Sequence, residues 1–201
     1  MISYLEGLVA EKNPTEIVLS VNGVGYTLHI PLSTYEQLGD PGSNAKLLTH
    51  LHLREDAIVL YGFASESERQ MFKLLISVSG IGPKMAQGIL SGMSVQELKS
   101  CIANGKLDAL TALSGVGRKT AERLIVDLRD KLSRLEVPIG AASLPGEELP
   151  ATHAEALSAL YSLGYTRAAA EKAIQHVLKE ANGLELTLEE LIKRALWRAG
   201  K

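Results

Sequence analysis

The sequence predicts an α+β chain of several small domains: a five-stranded N-terminal β-barrel, an all-α central domain and a small C-terminal three-helix bundle. Three observations predict it. Residues 1–63 read as β-branched runs separated by turns. From Glu66 the apolar period becomes helical. A short turn, Ser-Gly-aliphatic-Gly, then occurs twice at an offset of 35 residues, at Gly80 and at Gly115.

Along residues 1–63, "EIVLSVNGVGYTLHIPL" holds two β runs around Asn22-Gly23, a hairpin signal because both turn residues tolerate positive φ. Pro31 ends the second run, and "STYEQLG" has room only for a short helix. "KLLTHLHL" and "AIVLYGF" are two more strands, split by Arg54-Glu55-Asp56. With "MISYLEGLVAEK" in front, about five strands and one brief helix fit a barrel of the oligonucleotide/oligosaccharide-binding type; a small β-sandwich is the alternative.

Over 64–136, Met71, Leu74, Leu75 and Val78 make an amphipathic stripe that stops at "SGIG". Pro83 suits a first helical position, where its missing N–H is no loss. Ser94 with Glu97 reads as a capping box. "KLDALTAL" leads to the second turn, and "RKTAERLIVDLRDKLSRL" follows as a long helix. Ile81 and Val116, inside the turns, read as core anchors; Gly88, Gly92 and Gly105 read as packing or capping glycines. Residues 137–152, with Pro138, Pro145, Pro150, Gly140 and Gly146, carry no periodicity and read as a flexible linker. Residues 153–201 read as three short helices with Thr166 and Thr187 as N-caps.

The totals narrow the function classes. The chain of 201 residues is long enough for two or three small cores. One cysteine, Cys101, allows no internal disulfide and suits a reducing compartment. No signal peptide or apolar membrane span is expected, which suits the cytoplasm. The net charge of -2 does not suggest nucleic acid, but it is unevenly spread: residues 64–140 carry a net +3, against -4 before them and -1 after.

That basic segment holds the repeated turn. A helix starting just after Gly-x-Gly offers unpaired N–H groups, and with the helix dipole these favour an anion. The missing side chains let a backbone approach, and a lysine two residues on adds mobile charge. Each turn is therefore a socket for one phosphate, with no group placed to read a base. Gly80, Gly82 and Lys84 form the first; Gly115, Gly117, Arg118 and Lys119 form the second, expected to be the more positive because Arg118 stands where the first has Pro83. This is the helix-hairpin-helix pattern, and two copies at fixed offset can grip successive phosphates.

"MISYLEGLV", "VNGVGYTLHIP", "REDAIVLYGF", the two turns and "LYSLGY" together resemble the RuvA family of Holliday junction DNA-binding subunits, from Met1 to Lys201. The resemblance implies an OB-type barrel over 1–63, a tandem helix-hairpin-helix domain over 64–136 and a UBA-like bundle over 153–201. It implies a homotetramer, one or two per four-way junction, and backbone contacts at both turns with Arg123 one helical turn after the second. It turns Glu55 and Asp56, otherwise two solvated charges at a β-turn, into an acidic pin that repels phosphates at the crossover. It makes Leu160, Leu163, Tyr165 and Leu196 a surface for the hexameric ATPase RuvB, with the resolvase RuvC a further candidate partner; by periodicity alone those four residues read as bundle core.

No segment fits G-x-x-x-x-G-K-[ST], so nucleotide hydrolysis is not expected, and neither is any cofactor. His50 and His52 share a strand face, but two ligands do not make a zinc site. A nuclease or glycosylase using Asp127 or Asp130 is the enzymatic alternative, although "DLRDK" has the spacing of solvated helix pairs. A protein-only scaffold is the other alternative. Aromatic residues are few, so base-stacking platforms are not expected.

Overall fold

A computed structural model describes residues 2–53, 57–136, 151–181 and 186–199. The chain divides into two compact units, Met1–Leu132 and Ser133–Lys201.

The first unit opens with a closed barrel. Strands β1 (Tyr4–Asn13), β2 (Glu16–Val21), β3 (Val24–His29), β4 (Asn44–Leu53) and β5 (Ile58–Phe63) are ordered β1-β2-β3-β5-β4. Closure removes the exposed sheet edges that five short strands would otherwise present. The β2–β3 turn has positive φ at both Asn22 and Gly23, as the Asn-Gly pair required. Alternation along the strands sends Leu5, Val9, Ile17, Leu19, Leu28 and Leu47 into the barrel core. Helix α1 (Leu32–Gln37) is the brief helix after Pro31.

Helices α2 (Glu66–Ile76), α3 (Pro83–Gly92), α4 (Val95–Ala103), α5 (Leu107–Thr111) and, as far as Leu132, α6 (Arg118–Glu136) complete this unit. The barrel keeps its own core, but the outer face of β5 joins the core of these helices. Tyr61 and Phe63 leave β5 on its outer side and pack on Phe72 of α2, both with ring centroids 4.9 Å away. That is why 1–63 and 64–132, assigned to separate domains in the sequence reading, lie in one compact unit. Edge-tilted aromatic pairs of this kind add to plain burial.

Two buried polar side chains reinforce that junction. Ser65 and Glu68 form a capping box on α2. The buried Glu68 carboxylate also accepts hydrogen bonds from Ser33 Oγ at 2.5 Å, Thr34 Oγ1 at 3.0 Å and the Ala64 N–H at 3.1 Å. Gln87 of α3, also buried, donates to the carbonyls of Ile30 at 2.7 Å and Thr15 at 2.9 Å.

In the second unit, α7 (Ala151–Ser162), α8 (Arg167–Ala181) and α9 (Leu188–Ala199) enclose Ala156, Leu160, Ala170, Ala173, Ile174, Val177, Leu191 and Ala195. The many alanines let the helices approach closely. Thr166 Oγ1 accepts from the Ala169 N–H, and Thr187 with Glu190 makes a reciprocal cap. Residues 137–150, most of the expected linker, lie outside the described residues.

His50 on β4 stacks against Phe72 with centroids 5.3 Å apart. Burial, then the positive charges of Lys73, His52 and Arg69, hold its pKa below the ordinary value. The folded state therefore binds fewer protons than the unfolded chain around pH 6, so stability falls as pH drops below about 6.5. Urea titrations between pH 7.5 and 5 should show a smaller loss in His50→Gln than in the wild type; equal slopes would exclude this residue as a source.

Candidate nucleic-acid interface

The two hairpins repeat each other bond for bond. In the first, Ile81 N–H donates to Val78 O at 3.1 Å and Ala86 N–H to Gly82 O at 3.0 Å. In the second, Val116 N–H donates to Leu113 O at 3.1 Å and Ala121 N–H to Gly117 O at 2.9 Å. Ile81 and Val116 are buried and root both turns in the core. Gly80, Gly82, Lys84, Gly115, Gly117, Arg118 and Lys119 are all exposed.

The glycines of each turn divide into two kinds. Gly80 and Gly115 have φ of 92° and 82°, a left-handed conformation that disfavours a side chain. Gly82 has an ordinary φ of -88°, and Gly117 is not left-handed either. An added Cβ at Gly82 or Gly117 would meet no protein atom within 4 Å. Neither backbone strain nor packing accounts for these two glycines; they keep open a space that faces outward.

The local helix starts agree. Helices α2 and α4 close their N-termini with Ser65–Glu68 and Ser94–Glu97 capping boxes. The Ser94 hydroxyl, then its backbone N–H, holds the Glu97 carboxyl below its usual pKa. At α3 the cap is Gly82, with no side-chain bond, and at α6 Gly117 has no side chain to cap with. The N–H groups of Lys84 and Met85, and of Arg118, Lys119 and Thr120, precede the first intrahelical donor and have no intrahelical acceptor. Two dipole-positive helix mouths, each flanked by a lysine, result.

Three placements differ from the sequence reading. Arg123 was assigned to the second turn, yet its Nη1 donates to Ser79 O of the first at 2.8 Å. It ties the hairpins together while its exposed guanidinium stays beside the first. Arg118 pairs with Glu122 at 3.2 Å, an exposed i,i+4 contact that offsets part of the charge expected of the second socket. Gly88 neither packs nor caps: its Cβ position is open, whereas Gly92 meets Leu113 and Gly105 has positive φ. Sequence reading also missed Lys131, whose Nζ donates to Ser77 Oγ at 3.0 Å just before the first turn. Its place two turns along α6 from Arg123 was the available signal.

Glu55 and Asp56 lie outside the described residues, as does Arg54. The strands that lead to them end at Leu53 and Ile58, a facing pair that is apolar and exposed. Asp130 is exposed and Asp127 half-buried, both on α6, and no group of three or more metal-ligating side chains occurs among the described residues.

In the second unit the four partner residues separate. Leu160 is 0% exposed and belongs to the bundle core, which corrects its assignment to a surface patch. Tyr165 and Leu196 are half-buried against that core, and Leu163 is 60% exposed. A helix-ending motif accounts for the difference: Tyr165 N–H donates to Leu160 O at 3.1 Å and Gly164 N–H to Tyr161 O at 2.9 Å, with Gly164 at φ 91°. The reversal turns Leu163 outward. Trp197, 79% exposed beside Leu196, was not singled out from the sequence.

The comparisons with known proteins span most of the chain. Residues 1–62 match the family model "RuvA N terminal domain", residues 72–130 "SAM-like Helix-hairpin-helix tandem" and residues 151–198 "RuvA, C-terminal domain". Relatives named Holliday junction branch migration complex subunit RuvA include one from Thioalkalivibrio sulfidiphilus, 46% identical over 200 residues and covering 98% of both chains. One from Geobacter sulfurreducens is 42% identical, again with 98% of both chains covered. One from Chlorobium phaeobacteroides is 40% identical over 98% of this chain and 97% of its own.

The two kinds of glycine should separate in stability measurements. Gly80→Ala and Gly115→Ala should each lower unfolding free energy by about 1–2 kcal/mol in urea. Gly82→Ala and Gly117→Ala should each cost less than about 1 kcal/mol, the difference between glycine and alanine as an N-cap.

Proposed function

The chain belongs to the RuvA family, and we propose that it is the DNA-binding subunit of a Holliday junction branch migration complex. It holds four-way junction DNA through sugar-phosphate contacts and recruits and stimulates the RuvB ATPase; the ATP-driven step belongs to that partner. The observation that carries this reading is the pair of glycine-capped helix mouths, each open to the outside and each flanked by a lysine. Such sockets bind phosphate oxygens without regard to sequence, as a subunit that follows a moving junction requires.

The backbone contacts in this reading are Gly80, Gly82 and Lys84 on one side and Gly115, Gly117, Arg118 and Lys119 on the other. Arg123 serves the first socket from α6. A homotetramer sets four such pairs around one junction, singly or with a second tetramer on the opposite face. Glu55 and Asp56 act as the pin: four acidic tips near the symmetry axis repel phosphates at the crossover and disfavour continuous duplex. The exposed Leu163 with Tyr165 and Leu196 supplies the contact for RuvB, with Leu160 beneath as its support. RuvC is a further candidate partner on the same complex. No helix among the described residues is long and apolar enough to cross a membrane, which accords with a place in the cytoplasm beside the chromosome.

Gel-shift titration with a four-way junction and a duplex of equal length should show tighter junction binding, falling steeply with salt. Equal affinities would end this reading. Lys119→Ala should weaken junction binding and reduce the log–log salt slope by about one unit or less. Neutralising Glu55 and Asp56 together should raise duplex affinity and narrow the junction-to-duplex ratio. Removal of residues 151–201 should leave DNA affinity unchanged and abolish stimulation of the ATPase.

A further inference from the structure

The first hairpin is bound to the barrel by directional polar contacts on both of its helices. On α2 the Glu68 carboxylate takes hydrogen bonds from Ser33 and Thr34 of α1 and from Ala64 at the end of β5. Arg69 Nη1 adds a bond to Ser3 O at 2.9 Å, next to β1. On α3 the Gln87 amide reaches Ile30 O and Thr15 O, two carbonyls at one end of the barrel. Ser91, one turn later, accepts from the Leu32 N–H at 3.0 Å and donates to Gln87 O at 2.8 Å.

These bonds are more than burial needs. Apolar contact between α3 and the barrel would hold the two together but would tolerate small rotations, because dispersion and area burial are not directional. A buried amide is different. Each Gln87 N–H must point at its acceptor, and a shift that breaks the bond strands a desolvated donor and carbonyl. Gln87 lies three residues after Lys84, so rotation of α3 about this contact swings the phosphate socket directly.

We propose that Gln87, with Ser91, is a positioning residue that sets the angle of the first phosphate socket against the barrel, and so selects junction over duplex. This rests on the junction-binding reading above. Duplex binding needs only the two hairpins, whose mutual placement is held separately by Arg123 on Ser79 and Lys131 on Ser77. Junction binding also needs the barrel, which carries β4 and β5, at a set distance from the sockets. Loss of the polar contacts should therefore cost selectivity rather than grip.

The test uses the full chain. Gln87→Leu removes both donors at nearly constant volume, and Ser91→Ala removes the acceptor of Leu32; Ser91→Thr keeps a hydroxyl. Affinities for junction and duplex are measured by gel shift at one salt concentration, after thermal melts establish which variants are folded. The expected result is a junction-to-duplex ratio lowered at least about fivefold in Gln87→Leu, on the scale of one lost buried hydrogen bond, and at least about twofold in Ser91→Ala, whose bond from Leu32 is exposed. Duplex affinity should stay within about twofold of wild type, since the phosphate contacts that dominate it are untouched. Ser91→Thr should restore the ratio. Nitroxides at Glu6 on the barrel and Gln96 on α4, in a Cys101→Ala background, should show a broader distance distribution in the variants.

A folded variant with an unchanged ratio overturns the proposal, as does a parallel loss of junction and duplex affinity, which marks a purely structural role. Should Gln87→Leu not fold, Ser91→Ala decides by the same criteria. A wild-type chain without junction preference would instead overturn the functional reading and the proposal with it, an outcome visible before any substitution is made.

Discussion

Helices α3 and α6 begin with backbone N–H groups that have no intrahelical acceptor, and both begin on a glycine that offers no cap. That constraint organises the first unit. An uncapped N-terminus is tolerable only in contact with water or an anion, so the mouths must face outward. The residues just before each mouth must then be anchored inward, which Ile81 and Val116 do. Gly80 and Gly115 make the required change of direction within one residue. The same unit closes α2 and α4 with serine capping boxes; the short α1 and α5 also lack a side-chain cap, so what sets α3 and α6 apart is a glycine at the cap with a lysine in the first turn.

The rest of the unit holds these mouths still. Phe72 packs on Tyr61 and Phe63, so the outer face of β5 is part of the helices' core, beside the barrel's own. Full burial of a phenylalanine ring is worth several kcal/mol, on the order of 3–5 when it is truncated. Directional bonds from Glu68 and Gln87 then remove the freedom that apolar packing leaves. Arg123 and Lys131 link α6 to the residues around the first turn. The two glycine-started helix mouths thus sit beside the barrel in one unit, while the second unit is a separate small body with an alanine-rich core and an exposed Leu163.

Much of this was legible in the sequence, for local reasons. Asn22-Gly23 specifies its turn, Pro31 ends a strand run, Pro83 marks a helix start, and Ser94 with Glu97, or Thr187, caps within four residues. Strand and helix periods report which face is buried, and the doubled Ser-Gly-aliphatic-Gly exposes its repeat without any knowledge of packing. The glycines and lysines of both turns could therefore be named from the string alone, and the RuvA resemblance followed from the same residues.

What the tertiary structure alone decided lies at contacts between residues far apart in the chain. Arg123 reads as part of the second hairpin until the fold brings Ser79 beside it, 44 residues away. Leu160 and Leu163 are alike as letters, but the chain reversal at Gly164 buries one and exposes the other. Nothing in the sequence singles out Glu68 or Gln87, yet barrel backbone and hydroxyls 30 or more residues distant make them buried hydrogen-bonding centres. Periodicity and capping are properties of a few consecutive residues, so sequence determines them; the partner of a long polar side chain depends on which surfaces meet, and only the packed chain settles that.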